Sequence, residues 1–251
     1  MKKCLIYIYL LLLTSLCCLQ AGAVSSEIRS LSVSDGLPDL IINTIYKDSK
    51  GYVWMGTNTS VERFDGIRLE HYMVEGSNEN LKRVFALIEM PDNELWVGTG
   101  MGLFRLADDA EKLERLAPEM ITSGVHAFCK LGDVLYVGTE KGLYVYKGGV
   151  FEHVLVDKNV FSRANFVTGM VEGENGILWL STMGGLKSLR LSDQSITSFS
   201  DKLAKNGQNL SFYNITRIGS KIFMGTMTSG LVLFDTASKH FSRYLDVGCG
   251  V

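Results

Sequence analysis

The chain has 251 residues, 25 basic against 27 acidic groups and a net charge of -2, which leaves no basic excess for a dedicated nucleic-acid binder. With 46% hydrophobic and 21% charged residues it is neither disordered nor built mainly of membrane spans. Twenty-six glycines against three prolines mean many left-handed turns, which suits short strands joined by tight connections and points to an all-β chain.

The first 23 residues read as a signal peptide. Lys2 and Lys3 form a positive start, residues 4–19 are uncharged and Leu-rich, and Ala21-Gly22-Ala23 is a small-residue cleavage site. The apolar stretch is short for a membrane span, which needs about 20 residues. Cys17 and Cys18 lack the small residue that should precede a lipid-modified cysteine. Cleavage after Ala23 would start the mature chain at Val24, without a membrane span, in the periplasm or at the cell surface. Cys4, Cys17 and Cys18 leave with this segment. Cys129 and Cys249 remain, too few and too distant for a disulfide framework, and the apolar alternation around Cys129 suits a buried thiol.

From residue 40 onward one motif organises the chain. It reads Trp54-Met55-Gly56-Thr57, Trp96-Val97-Gly98-Thr99, Tyr136-Val137-Gly138-Thr139 and Phe223-Met224-Gly225-Thr226, with Trp179-Leu180-Ser181-Thr182 as a variant. The aromatic recurs about every 42 residues, a period that belongs to solenoids and propellers. Ahead of each aromatic an apolar run ends in a polar turn. The runs are 42–46, 84–88, 125–128, 166–171 and 214–218, and the turns are 48–51, 91–94, 132–133, 173–176 and 219–220. These pairs read as hairpins. Behind each Gly-Thr comes a third strand, opened by Gly102-Leu103, Gly142-Leu143, Gly185-Leu186 and Gly230-Leu231, with Ser60-Val61 in the first copy. Fourth segments follow at 68–72, 113–116, 150–154, 195–199 and 241–244. Four short antiparallel strands per repeat make a propeller blade. The blades fall at residues 40–75, 80–117, 123–157, 164–200 and 212–246, within a propeller region of residues 24–251. The repeated aromatics are expected to fill the wedges between blades, and the glycines to let adjacent blades approach.

Residues 31–38 (LSVSDGLP), Asn43, Ile45, Asp48, Gly51, the Trp54 motif and Arg63-Phe64-Asp65-Gly66 resemble the two-component regulator propeller repeat. That family builds periplasmic sensors of Bacteroidetes-type hybrid two-component histidine kinases. The resemblance implies a ring of about seven blades, a glycan fragment as ligand and a kinase portion elsewhere. This chain shows about five blades and no kinase boxes, so the reading is an incomplete ring: a partial sensor module or a truncated remnant, open to self-association or to a missing propeller and kinase portion. Residues 28–33 resemble a fourth strand belonging to a blade the chain does not contain.

No catalytic set emerges. His71 and His153 share one repeat position in different blades, so they are too far apart for a metal centre, and no cofactor motif is present. Asp48, Asp92, Asp133 and Glu174 fall in hairpin turns, where capping accounts for them. A ligand is expected on the loops that enter the innermost strands, with Arg83, Arg163, Asn165 and Tyr213 as candidates. The sequence thus favours a non-enzymatic sensor of oligosaccharides. A secreted propeller glycosidase or lyase, or a structural protein-binding propeller, are the alternatives.

Overall fold

A computed structural model describes residues 30–73, 82–199, 203, 210–227 and 229–245. Residues 33–251 form one unit and residues 1–32 another. Twenty strands make five four-stranded antiparallel sheets, each a meander in chain order, and short 3-10 turns at Val33–Asp35 and Arg163–Asn165 are the helical elements among the described residues. The first sheet holds β1 (Thr44–Lys47), β2 (Val53–Gly56), β3 (Val61–Phe64) and β4 (Leu69–Tyr72). The second holds β5 (Val84–Glu89), β6 (Leu95–Thr99), β7 (Gly102–Leu106) and β8 (Glu114–Arg115). The third holds β9 (Val125–Leu131), β10 (Val134–Thr139), β11 (Gly142–Lys147) and β12 (Val150–Val154). The fourth holds β13 (Val167–Glu172), β14 (Ile177–Thr182), β15 (Gly185–Arg190) and β16 (Ile196–Phe199). The fifth holds β17 (Phe212–Ile218), β18 (Lys221–Thr226), β19 (Leu231–Asp235) and β20 (His240–Leu245). The first strand of each sheet packs on the first strand of the next, in the order β1, β5, β9, β13, β17. The sheets are therefore propeller blades, with their first strands innermost.

The repeat motif shows why each blade forms. The threonine hydroxyl donates to the carbonyl that opens the third strand: Thr57 to Ser60, Thr99 to Gly102, Thr139 to Gly142, Thr182 to Gly185 and Thr226 to Gly230, at 2.7–3.1 Å. It also accepts from a backbone N–H inside the same turn, as from Met101 and Lys141 at 3.0 and 3.1 Å. One side chain thus satisfies a donor and an acceptor that would otherwise be buried without partners.

The aromatic before it fills the wedge between blades. Trp54, Trp96, Tyr136 and Trp179 are all buried. Trp54 joins Val84, Leu87 and Leu95 of the second blade in one cluster, and Trp179 joins Phe212, Ile222 and Phe234 of the fifth. The glycine of the motif is a contact point between blades. A Cβ on Gly56 would lie 2.5 Å from Val84 Cγ1, and one on Gly138 would lie 2.8 Å from Val167 Cγ1. Ser181 breaks the pattern without harm because its cross-strand partner is Gly169, where a Cβ would meet Ser181 Oγ at 2.8 Å. The missing side chain has moved across the ladder.

Three expectations are corrected. Residues 30–32 carry no regular structure and Val33–Asp35 is a 3-10 turn, so the described part of the segment 28–33 is no strand; Ile28 and Arg29 lie outside the described residues. The chain that follows buries Leu37, and a Cβ on Gly36 would lie 4.0 Å from His71 Nε2. The fourth strand of the second blade shrinks to Glu114–Arg115, because the Leu113 N–H donates to the Met73 carbonyl of the first blade and Ala117 turns left-handed at φ 48°. Cys129 is only partly buried; it is a free thiol, and burial pushes it up to about 11. Cys249 and the proposed signal segment lie outside the described residues.

Candidate functional site

The innermost strands share a second feature that alternation does not reveal. In β5, β9, β13 and β17 the register slips by one residue near the strand's start, leaving Phe85, His126, Thr168 and Tyr213 unpaired in the ladder. A bulge re-aims the side chain it carries. Asn43, ahead of β1, stands at the same repeat position. All five line one cavity of about 590 Å³ with contributions from every blade. That volume lies in the range of small-molecule pockets.

A second repeat position completes the rim. It is the residue just after the motif threonine: Asn58, Gly100, Glu140, Met183 and Met227. Glu140 and Met183 line the cavity directly. Asn58 Oδ1 accepts from Asn43 Nδ2 at 3.2 Å and from Arg83 Nε at 3.3 Å. Met227 Sδ accepts from the Tyr213 hydroxyl at 3.5 Å. Arg83, Phe166 and Asn214 fill the remaining lining.

An aromatic band runs along three blades. The Phe85 and His126 rings lie 4.0 Å apart between centroids, and His126 lies 4.7 Å from Phe166. The Arg83 guanidinium sits 5.8 Å from the Phe85 centroid. His126 Nε2 lies 3.1 Å from Glu140 Oε1. Burial, helped by the positive charge of Arg83, holds His126 below the ordinary histidine range, with Glu140 pulling the other way. At neutral pH the ring is therefore a neutral partner for Glu140. Thr168 is spoken for, since its hydroxyl reaches the Phe212 carbonyl at 2.6 Å and the Ser181 carbonyl at 3.0 Å, tying the fourth blade to the fifth. Tyr213 is 44% exposed and presents its ring to the cavity.

Of the four residues singled out from the sequence, Arg83 and Tyr213 line this cavity and Arg163 and Asn165 do not. Arg163 belongs to the 3-10 turn and donates to Ser211 Oγ at 2.8 Å, fastening the entrance of the fifth blade. Asn165 is buried and fully used: its Oδ1 accepts from Asp157 N, and its Nδ2 donates to the carbonyls of Asp157 and Asn159. It shapes the loop rather than facing solvent. His126, Phe85, Glu140, Phe166 and Asn43 were missed. Glu140 and Met183 do share a sequence column, the residue after the motif threonine, but the bulge residues do not: Phe85 and Thr168 lie 14 residues before that threonine, and His126 and Tyr213 lie 13 before it. His71 and His153 sit in β4 and β12 and serve local roles. His71 Nδ1 contacts Glu62, and His153 Nε2 lies 2.9 Å from the Lys141 carbonyl. No grouping of potential metal ligands occurs among the described residues.

Comparison with known proteins places the repeat. Residues 36–59 match the family model described as two component regulator propeller. Over 220 residues the chain is 27% identical to Histidine kinase P4 of Formosa agariphila, an alignment covering 76% of this chain and 16% of that protein. Two extracellular domains described as belonging to hybrid two component systems of B. thetaiotaomicron share the fold. That of BT4673 superposes with a TM-score of 0.71 at 19% identity, covering 84% of this chain and 28% of the other. That of BT3049 gives 0.70 at 22% identity, covering 87% and 32%. The chain thus spans less than a third of the length of each of these relatives.

Proposed function

Because the chain carries the two-component regulator propeller repeat, we propose that it is the ligand-binding part of a hybrid two-component sensor, exported from the cytoplasm, and that its central cavity takes an oligosaccharide. One observation carries this reading: every blade aims one bulged or loop side chain at the same cavity, and those side chains pair aromatic faces with amide, hydroxyl and carboxylate groups. Sugars present alternating apolar faces and hydroxyl edges, so a wall of rings bordered by amides suits them.

The cavity supports binding over hydrolysis. Glycoside cleavage by the usual route needs two carboxyl groups about 5–10 Å apart. Glu140 is the one carboxylate among the lining residues, and His126 engages it. A ligand that touches several blades at once favours the arrangement in which those blades converge, and only such a difference in affinity between arrangements can pass a signal onward. The chain spans 16% of the length of Histidine kinase P4, so the response to binding would be relayed by other parts of a longer receptor.

The test is calorimetric titration of the exported chain with di- to tetrasaccharides, repeated on Phe85→Ala and Tyr213→Ala. Loss of either ring should weaken binding several-fold to about tenfold, the scale of one aromatic contact. A folded chain that binds no saccharide, or variants that bind like the parent, would overturn the proposal.

A further inference from the structure

The cavity holds one cation without a carboxylate partner. Arg83 makes no ion pair, and its guanidinium uses only Nε, on Asn58 Oδ1; Nη1 and Nη2 have no partner among the described residues. Surface arginines normally roam, but this one is held. Its N–H donates to the Asn58 carbonyl at 2.8 Å and its carbonyl accepts from Gly100 N at 3.0 Å. The guanidinium rests beside the Phe85 ring. Asn58 is itself fixed by Asn43.

The backbone beneath it is costly. Lys82 and Arg83 both adopt left-handed conformations, φ 50° and 75°, which L-residues other than glycine avoid. Gly100 makes room for them: a Cβ there would lie 2.2 Å from the Lys82 carbonyl oxygen. Two strained residues held by a dedicated glycine and two backbone hydrogen bonds cost stability, and such strain persists where the surroundings over-determine it. What this arrangement yields is a guanidinium fork presented to the cavity with its free edge unspent.

We infer that Arg83 is an acid-group clamp, and that the saccharide this cavity takes carries a carboxylate or sulfate group. The inference rests on the oligosaccharide reading above and narrows it. A planar fork with two free N–H edges matches a carboxylate or sulfate bidentately, and a neutral hydroxyl cannot use it as fully. The rest of the lining fits the same ligand. Phe85 and Phe166 add apolar ring surface to the same lining, and Asn43 and Asn214 add amides. Glu140 keeps its charge beside the neutral His126 ring, but no ion pair joins it to Arg83, so the fork stays free. The Glu140 carboxylate remains an acceptor for a sugar hydroxyl.

Three probes of equal length test this on the exported chain by calorimetry: a uronic-acid oligosaccharide, a sulfated galactan oligosaccharide and a neutral galactan oligosaccharide. At least one acidic probe should bind about tenfold or more tighter than the neutral one, the scale of a charged hydrogen-bonded pair. Which acidic probe wins identifies the group. Arg83→Gln should erase that preference, costing the acidic probe far more affinity than the neutral one, and raised salt should narrow the preference in the parent. Arg83→Gly, which suits the left-handed backbone, should lose the preference yet melt no lower than the parent, so a folding defect is separable from a lost contact. Equal binding of acidic and neutral probes, or an acid preference that survives Arg83→Gln, overturns the clamp and leaves the saccharide reading standing. Binding of none of the three overturns both.

Discussion

Gly138 is where the logic of the repeat can be weighed. Replacing it with alanine puts a Cβ 2.8 Å from Val167 Cγ1 and 3.3 Å from Val167 Cβ, while Ala127 across the ladder stays at an ordinary 3.5 Å. Val167 opens β13, is fully buried, and is β-branched, so it has no alternative rotamer to retreat to. The fourth blade must shift instead. Overpacking of this kind costs about 1–3 kcal/mol. In a chain of this size each kcal/mol lowers Tm by about 2–4 °C. The assay is urea and thermal unfolding of a double-mutant cycle with Val167→Ala. Removing the two methyls takes away Cγ1, the atom at 2.8 Å, and leaves only the Cβ at 3.3 Å, so Gly138→Ala should cost at least about 1 kcal/mol less in that background, the coupling expected of residues in contact. Gly98 supplies the control. There a Cβ meets the Val125 carbonyl oxygen at 2.8 Å as well as its side chain, and a backbone atom cannot be trimmed. Gly98→Ala should therefore stay costly after Val125→Ala. If Gly138→Ala costs the same with and without the Val167 methyls, the glycine is not there for close approach of blades and the reasoning fails.

Two further outcomes follow from titratable groups that the fold shields from water. Glu62 is fully buried, accepts from Ser60 Oγ at 2.5 Å and contacts His71, and burial raises its pKa above the usual carboxylate value. The folded state then holds the proton more tightly than the unfolded one, so the protein is more stable below the unfolded value and loses stability as pH rises through the folded value. Glu62→Gln, which cannot ionise, should gain on the parent in urea unfolding as pH rises above the ordinary carboxylate value; parallel profiles would refute the assignment. For Cys129, burial pushes the thiol from 9.0 to about 11, so its thiolate fraction near pH 8 is roughly a hundredfold below that of an unperturbed thiol. Alkylation followed by peptide mass analysis should find it protected in the native chain and labelled in urea; rapid native labelling would contradict the packing described.

The local parts of this fold could be read from the residues because they are made locally. Thr99 needs Gly102 three residues away, and Asp48 accepts from Tyr52 N and Trp54 Nε1 within its own hairpin. Such devices repeat in sequence wherever they repeat in space, which is why strand order and blade number could be read. The short fourth strand at Glu114–Arg115 could not, because the main chain of Leu113 was claimed by Met73 of another blade. Nor could the role of Asn165. As an exposed loop amide it would suit a ligand, but packing buried it against Asp157 and Asn159.

The amino-acid sequence by itself determined the repeat, its all-β character and the wedge positions of Trp54, Trp96, Tyr136 and Trp179, since each follows from turn chemistry and burial within about 42 residues. Only the tertiary structure decided the site. A one-residue bulge reverses which way a strand's side chain points, and nothing in the apolar pattern around Phe85, His126 or Tyr213 marks where the slip occurs. The stacking of first strands then brings residues from 43 to 214 to one cavity, a convergence set by the arrangement of blades rather than by any neighbour in the chain.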